Sequence, residues 1–110
     1  MEATTALESL AALSHPTRLD AFRLLVRNEP EGLSTGQLVE VSGLSQSTFS
    51  SHLAILVAAN LVVPEKRGRQ MIQRASIEAL RDLMLFLAKD CCGGRTDLCE
   101  PLAAELAECC

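Results

Sequence analysis

No stretch of the chain approaches the roughly 18 to 20 uncharged apolar residues that a membrane-spanning helix needs. The start, Met1-Glu2-Ala3-Thr4-Thr5, has neither the basic residues nor the apolar run of a secretion signal. The first 90 residues hold no cysteine, which excludes a disulfide framework, because such a framework would spread its bridges over the fold. Repeats and low-complexity tracts are missing too. Aromatic residues make up only 3% of the sequence. These absences lead to the expectation of a cytoplasmic protein with no membrane partner.

What is there fits one compact domain. The 110 residues are 48% apolar and 22% charged, too apolar for a disordered tail and too charged for a membrane protein. A core this small is thin, and pairing with a second copy would add burial. The formal charge is −4, but residues 41–75 carry four cations against one carboxylate. That window is therefore at +3 and the rest at −7. A basic patch on an acidic, self-repelling body is compatible with DNA binding without requiring it.

The chain reads as ααααββα, mainly helical with a small β-hairpin. Leu7, Leu10 and Ala11 share a face of a first helix; Ser14-His15-Pro16 restarts the chain into a second, broken by Pro30-Glu31-Gly32. Ser34-Thr35-Gly36-Gln37 opens a short third helix. Ser42-Gly43-Leu44 turns, and Ser45 caps a helix over Gln46 to Ala59. Two short helices joined by a glycine turn are the pattern of a helix-turn-helix. Leu61 to Lys66 and Arg69 to Ala75 form a hairpin around Gly68, with Pro64 suited only to an edge strand. Ser76 caps a last helix ending near Cys92, where Gly93-Gly94 stops it.

On a helical wheel Phe49, Leu53, Leu56 and Asn60 line one side of the fourth helix. Ser47, Ser51, Ala54 and Ala58 lie opposite, flanked by Thr48 and Ser50. Small and hydroxylated residues let a helix approach a groove closely, and Gln46 could read an adenine edge. His52 lies near the boundary of the inward face, better placed for packing than for reading bases, with a phosphate contact open. Lys66, Arg67 and Arg69 around a glycine tip suit a phosphate backbone or minor groove. A capped, solvated surface helix and a solvated turn are the plainer alternatives.

These motifs together resemble the ArsR/SmtB family of metal-responsive repressors. The matching residues are Leu13-Ser14-His15-Pro16-Thr17-Arg18-Leu19, Leu44-Ser45-Gln46-Ser47-Thr48-Phe49-Ser50-Ser51-His52-Leu53, and Asn60-Leu61-Val62 leading into Lys66-Arg67-Gly68-Arg69. The similarity covers about residues 7 to 90. It implies a winged helix-turn-helix homodimer, built on the first and last helices, that represses an operon for metal resistance or homeostasis on double-stranded operator DNA. The apolar faces agree: Leu7 and Leu10 on the first helix, and Leu80, Met84 and Leu87 on the last, are the expected seam. Residues 1–92 would form the DNA-binding and dimerisation domain, and residues 93–110 a cysteine-rich tail.

All five cysteines lie in the last 20 residues, as Cys91-Cys92, Cys99 and Cys109-Cys110. Clustered thiols suit soft-metal chemistry or redox sensing. Family sites that use thiolates on the third helix find none in Gln37-Leu38-Val39-Glu40-Val41, and zinc sites on the last helix need histidines that this helix does not have. The adjacent pair with a nearby third cysteine resembles an arsenic-responsive subgroup, which implies As(III), with Sb(III) as a second ligand, on Cys91, Cys92 and Cys99. Cys109 and Cys110 are spare ligands, a second chelate, a reactive tail or incidental thiols, and Leu102, Leu106 and Cys109 repeat at near-helical spacing after Pro101, as in a short amphipathic end helix. A zinc, cadmium, lead or redox sensor using the same thiols remains open. So do a small thiol reductase and a scaffold with an inactive helix-turn-helix.

Overall fold

The computed structural model describes residues 1–92 and 96–109, with side chains described for residues 1–89 and 100–107. Ala3–Leu13 form α1, whose inward side is Ala6, Ser9 and Ala12. These side chains are small and buried, so α1 lies close to its neighbours. His15 caps α2 (Pro16–Arg27): its Nδ1 accepts the Thr17 amide at 3.1 Å, and Pro16 fills the first helical position, where no amide is needed. Asn28 closes α2 by donating to the Leu24 carbonyl at 2.8 Å.

Gly32 is the tightest passage in the fold. Its φ is +72°, and a Cβ there would lie 2.6 Å from the Gln73 carbonyl oxygen. Only glycine meets both demands. It admits β1 (Leu33–Ser34) to an antiparallel pairing with Gln73 and Ile72 of β3. Ser34 then opens α3 (Thr35–Ser42) in a capping box, its Oγ accepting the Gln37 amide at 3.1 Å while Gln37 Oε1 accepts the Ser34 amide at 2.9 Å. Gly43 ends α3 in the left-handed region, and Ser45 caps α4 (Gln46–Ala58) by accepting the Thr48 amide at 3.2 Å.

β2 (Val62–Arg67) and β3 (Gln70–Ala75) make the hairpin, closed by Arg67 opposite Gln70, with Gly68 taking the first corner at φ +62°. The sheet order is β1-β3-β2, so Pro64 sits on an edge strand. The core is aliphatic with two phenylalanines: Phe22 and Leu25 of α2, Leu38 of α3, Phe49, Leu53 and Leu56 of α4, and Leu61 and Val62. α5 (Ile77–Cys92) and α6 (Thr96–Cys109) pack against each other at the end of the chain.

The observed order, α1-α2-β1-α3-α4-β2-β3-α5-α6, contains the expected ααααββα and extends it twice. β1 is too short to show an alternating pattern and exists because β3 offers it an edge. The end helix expected after Pro101 begins earlier, at Thr96, with Pro101 inside it. Proline there removes one backbone hydrogen bond but lies only one turn beyond the amides that lack intrahelical partners anyway.

Candidate nucleic-acid interface and thiol cluster

α4 presents two opposite faces. Phe49, Leu53 and Leu56 are buried, Leu56 completely. Gln46, Ser47, Thr48, Ser50, Ser51, Ala54 and Ala58 are all exposed. The predicted reading face is therefore brought together on one helix and left uncovered. Its hydroxyls are only lightly engaged: Ser45 donates to Thr48 Oγ1 at 2.9 Å, and Ser51 donates to the Ser47 carbonyl at 3.2 Å. Such exposed bonds exchange readily for contacts to phosphate or base edges. Asn60, expected on the inward face, lies beyond the helix as an exposed residue at φ +61°, because α4 stops at Ala58 with Ala59 as its C-cap.

His52 sits half-buried at the boundary of these faces. Its Nδ1 lies 3.1 Å from Arg18 Nη1, and its ring centroid is 4.4 Å from that of His15. Burial first, then the charges of His15 and Arg18, hold its pKa below the usual histidine value. The packing role expected for His52 is what the geometry gives.

The wing carries Lys66, Arg67 and Arg69, all exposed. Arg67 is not poised outward like the others. It donates to Glu65 at 3.0 Å and to the Glu31 carbonyl at 2.9 Å. The hydrogen bond from Arg67, then the charge of Arg67 and the hydrogen bond and charge of Arg74, hold the Glu65 carboxyl below its ordinary pKa. Arg74 reaches Glu29 through two nitrogens, at 2.8 and 3.1 Å, and Glu65 at 3.5 Å. This fork raises the Arg74 pKa and ties the hairpin to the end of α2. Among the described residues Lys66 and Arg69 form no ion pair, so they are the wing's ready cations. The Glu29–Arg74–Glu65–Arg67 chain escaped sequence reasoning because its members lie up to 45 positions apart.

The expected seam residues divide. Leu7 and Leu10 of α1 and Met84 and Leu87 of α5 are exposed, with Leu85 and Ile77 beside them. Leu80 is instead half-buried against the chain's own core, and Leu83 is buried as well. An open groove lined by Met1, Ile77, Met84, Leu85, Leu102 and Leu106 continues this apolar face onto α6.

Cys91 and Cys92 form the last residues of α5, and Cys99 lies in the first turn of α6, so three thiol-bearing positions fall at the end of one helix and the start of the next. Cys109 ends α6. The side chains of these four, and Cys110 altogether, lie outside the described residues. Among the described residues no group of three or more His, Cys, Asp or Glu is arranged to hold a metal ion.

A three-stranded antiparallel sheet with a glycine-tipped hairpin, set beside a helix-turn-helix whose second helix bares a hydroxylated face, defines a winged helix-turn-helix transcriptional regulator. A family profile described as a helix-turn-helix domain matches residues 13–65. The chain is 34% identical over 91 residues to the nodulation protein NolR of Rhizobium meliloti, covering 83% of this chain and 71% of that one. It is 29% identical over 90 residues to a probable mercury resistance operon repressor of Streptomyces lividans, covering 74% and 70%. Among solved structures, an ArsR-like transcriptional regulator from Rhodococcus sp. RHA1 superposes with a TM-score of 0.72 at 26% identity, covering 94% of this chain and 93% of that one. The chain belongs to the ArsR family of winged helix-turn-helix transcriptional regulators. It is a DNA-binding regulator and not a thiol enzyme.

Proposed function

We propose that this chain is a repressor that holds operator DNA as a homodimer and releases it when As(III), or Sb(III), is taken up by Cys91, Cys92 and Cys99. One observation carries the reading: the chain's thiols begin on the helix that also bears an uncovered apolar face. Met84, Leu85 and Leu87 stand exposed within two turns of Cys91. A ligand that reorganises the end of α5 would act directly on a contact between two copies. Two reading helices must stand about 34 Å apart to enter successive major grooves, so small changes at the seam alter DNA fit.

The donor set fits the ligand. Three sulfurs suit a trivalent ion whose lone pair favours a pyramid of soft donors. Cys91 and Cys92 are adjacent, only three residues separate α5 from α6, and six residues lie between Cys92 and Cys99 in the chain. Bound As(III) would supply three sulfur bonds that cross-link the two helix ends. The protein's part is to deliver deprotonated thiols, so uptake releases protons. Exposed Leu7 and Leu10 would complete the seam from α1, with Leu80 contributing from beneath.

The kinship with a probable mercury resistance repressor supports soft-metal sensing without choosing the ion. Fluorescence anisotropy on the DNA upstream of the chain's own gene tests the choice. Arsenite should release the wild type, whereas Cys91→Ser, Cys92→Ser and Cys99→Ser should each bind DNA and fail to release. Release by zinc, cadmium, lead or an oxidant, with no response to arsenite, transfers the same site to the other sensor reading. Loss of DNA binding in all three variants would make the thiols structural.

A further inference from the structure

One cluster of ionisable side chains lies on the inner edge of the reading helix, away from the thiols. Arg18, in the first turn of α2, is half-buried. Its Nε donates to the Ala12 carbonyl at 2.6 Å, and its Nη1 lies 3.1 Å from His52 Nδ1. Ala12 belongs to the last turn of α1, the helix whose other side leaves Leu7 and Leu10 exposed. His52 is in the middle of α4. A single planar guanidinium therefore spans from the end of one helix to the centre of another.

The chemistry of the pair is one-directional. Arginine only donates, so His52 Nδ1 must accept, which leaves the ring's proton on Nε2. His15, stacked against His52, has its own Nδ1 occupied by the Thr17 amide. The charges acting on His52 are those of His15 and Arg18. α4 carries no other ionisable side chain, α1 only the exposed Glu8, and α2 has Asp20, Arg23 and Arg27 further along, all exposed.

We infer that Arg18 is a positioning residue for the recognition helix: by bridging the Ala12 carbonyl to His52 it fixes where α4 sits relative to α1, and protonation of His52 breaks that bridge. The inference rests on the reading of α4 as the helix that enters DNA. A lysine, with one ammonium point charge, cannot serve both acceptors in the fixed geometry of the fork. Protonated His52 would turn a donor toward a donor and place like charges 3.1 Å apart.

The sign follows from the lowered pKa of His52. An unfolded histidine takes up its proton near 6.5, before the native one does. The native arrangement is therefore fully stabilised above that pH and loses ground as pH falls through 6.5 toward the lower native value. Operator affinity should follow the same course, because the DNA-competent placement of α4 uses the neutral ring. A histidine acting as a direct cation on phosphate would do the reverse and tighten binding in acid.

The test uses the full chain, wild type, Arg18→Gln and Arg18→Lys, with anisotropy on the operator fragment from about pH 5.5 to about pH 8, the range in which histidine titrates. Nitrogen-15 spectra of the histidine rings are recorded alongside. Arg18→Gln should weaken specific binding by about tenfold at neutral pH, the scale of losing a charge-assisted hydrogen bond, and flatten the pH profile. Arg18→Lys should recover part of the affinity. The wild-type spectra should show His52 as the Nε2–H tautomer with a midpoint below 6.5. Wild-type affinity that rises as His52 protonates, an Nδ1–H tautomer, or Arg18→Gln binding as the wild type does would each overturn the inference. A wild type that binds no operator at any pH would instead refute the DNA reading beneath it, a failure the Arg18 variants cannot imitate.

Discussion

The DNA-reading half of the molecule and its sulfur-bearing end are built on opposite plans. From α2 to β3 every turn is fixed by a specific device: His15, Ser34 and Ser45 as caps, Gly32 and Gly43 in left-handed backbone, and the Arg74–Glu29 fork. The helices there share one buried core. The last two helices instead expose Met84, Leu85, Leu87, Leu102 and Leu106, and their chemistry is concentrated in cysteines. A reader held by local caps and a shared core, joined to an end with an uncovered apolar face, is the division of labour that the proposed switch uses.

If the division is real, perturbing each half should give separable results. The largest effect is expected in the core: Leu56→Ala should cost about 2 to 5 kcal/mol of stability, read by chemical denaturation, and lose operator binding through loss of the fold. Next come the thiols. Cys91→Ser, Cys92→Ser and Cys99→Ser should erase a coupling of about 1 to 3 kcal/mol between arsenite and DNA, with unfolding and basal operator affinity unchanged. A Cys variant that unfolds the reader would collapse the distinction.

Smaller effects resolve the reader itself. Ser45→Ala removes the cap of α4 and should cost about 1 kcal/mol, seen as a lower melting temperature with arsenite response intact. Lys66→Ala or Arg69→Ala should each reduce the slope of log affinity against log salt concentration by about 0.9, the signature of one lost phosphate contact. An unchanged slope in both would remove the wing from the DNA.

Much of the reader was legible in the sequence because its signals are local. Gly43 before Ser45, and Gly68 between a short β-branched run and a second short strand, announce a turn and a hairpin through backbone requirements that few residues satisfy. The spacing of Phe49, Leu53 and Leu56 identified the inward face of α4. β1 was not legible, since two residues carry no period and their strand is a consequence of β3 lying beside them. Nor was the engagement of Arg67 with Glu65 and the Glu31 carbonyl, which depends on a loop that reaches the hairpin only in three dimensions.

The seam was half legible. The apolar stripe of α5 spans more than one helix face, and periodicity does not say which edge meets the chain's own core. Leu80 and Leu83 turn inward, and Met84 and Leu87 remain outside. Likewise the helix after Thr96 runs through Pro101, a residue that from sequence marks a beginning more readily than an interior. The cysteines were conspicuous by position alone; Cys91 and Cys92 end α5 and Cys99 falls in the first turn of α6, and their side chains lie outside the described residues.

Binding of arsenite to the protein, measured by titration with and without saturating operator DNA, tests the proposed switch most directly. Because the two ligands are linked, operator should weaken arsenite binding by the same factor, about 5- to 150-fold, by which arsenite weakens operator binding. Equal arsenite affinities in the two titrations would mean that sulfur occupancy and DNA reading are independent, and the account of this chain as an arsenic-released repressor would be wrong.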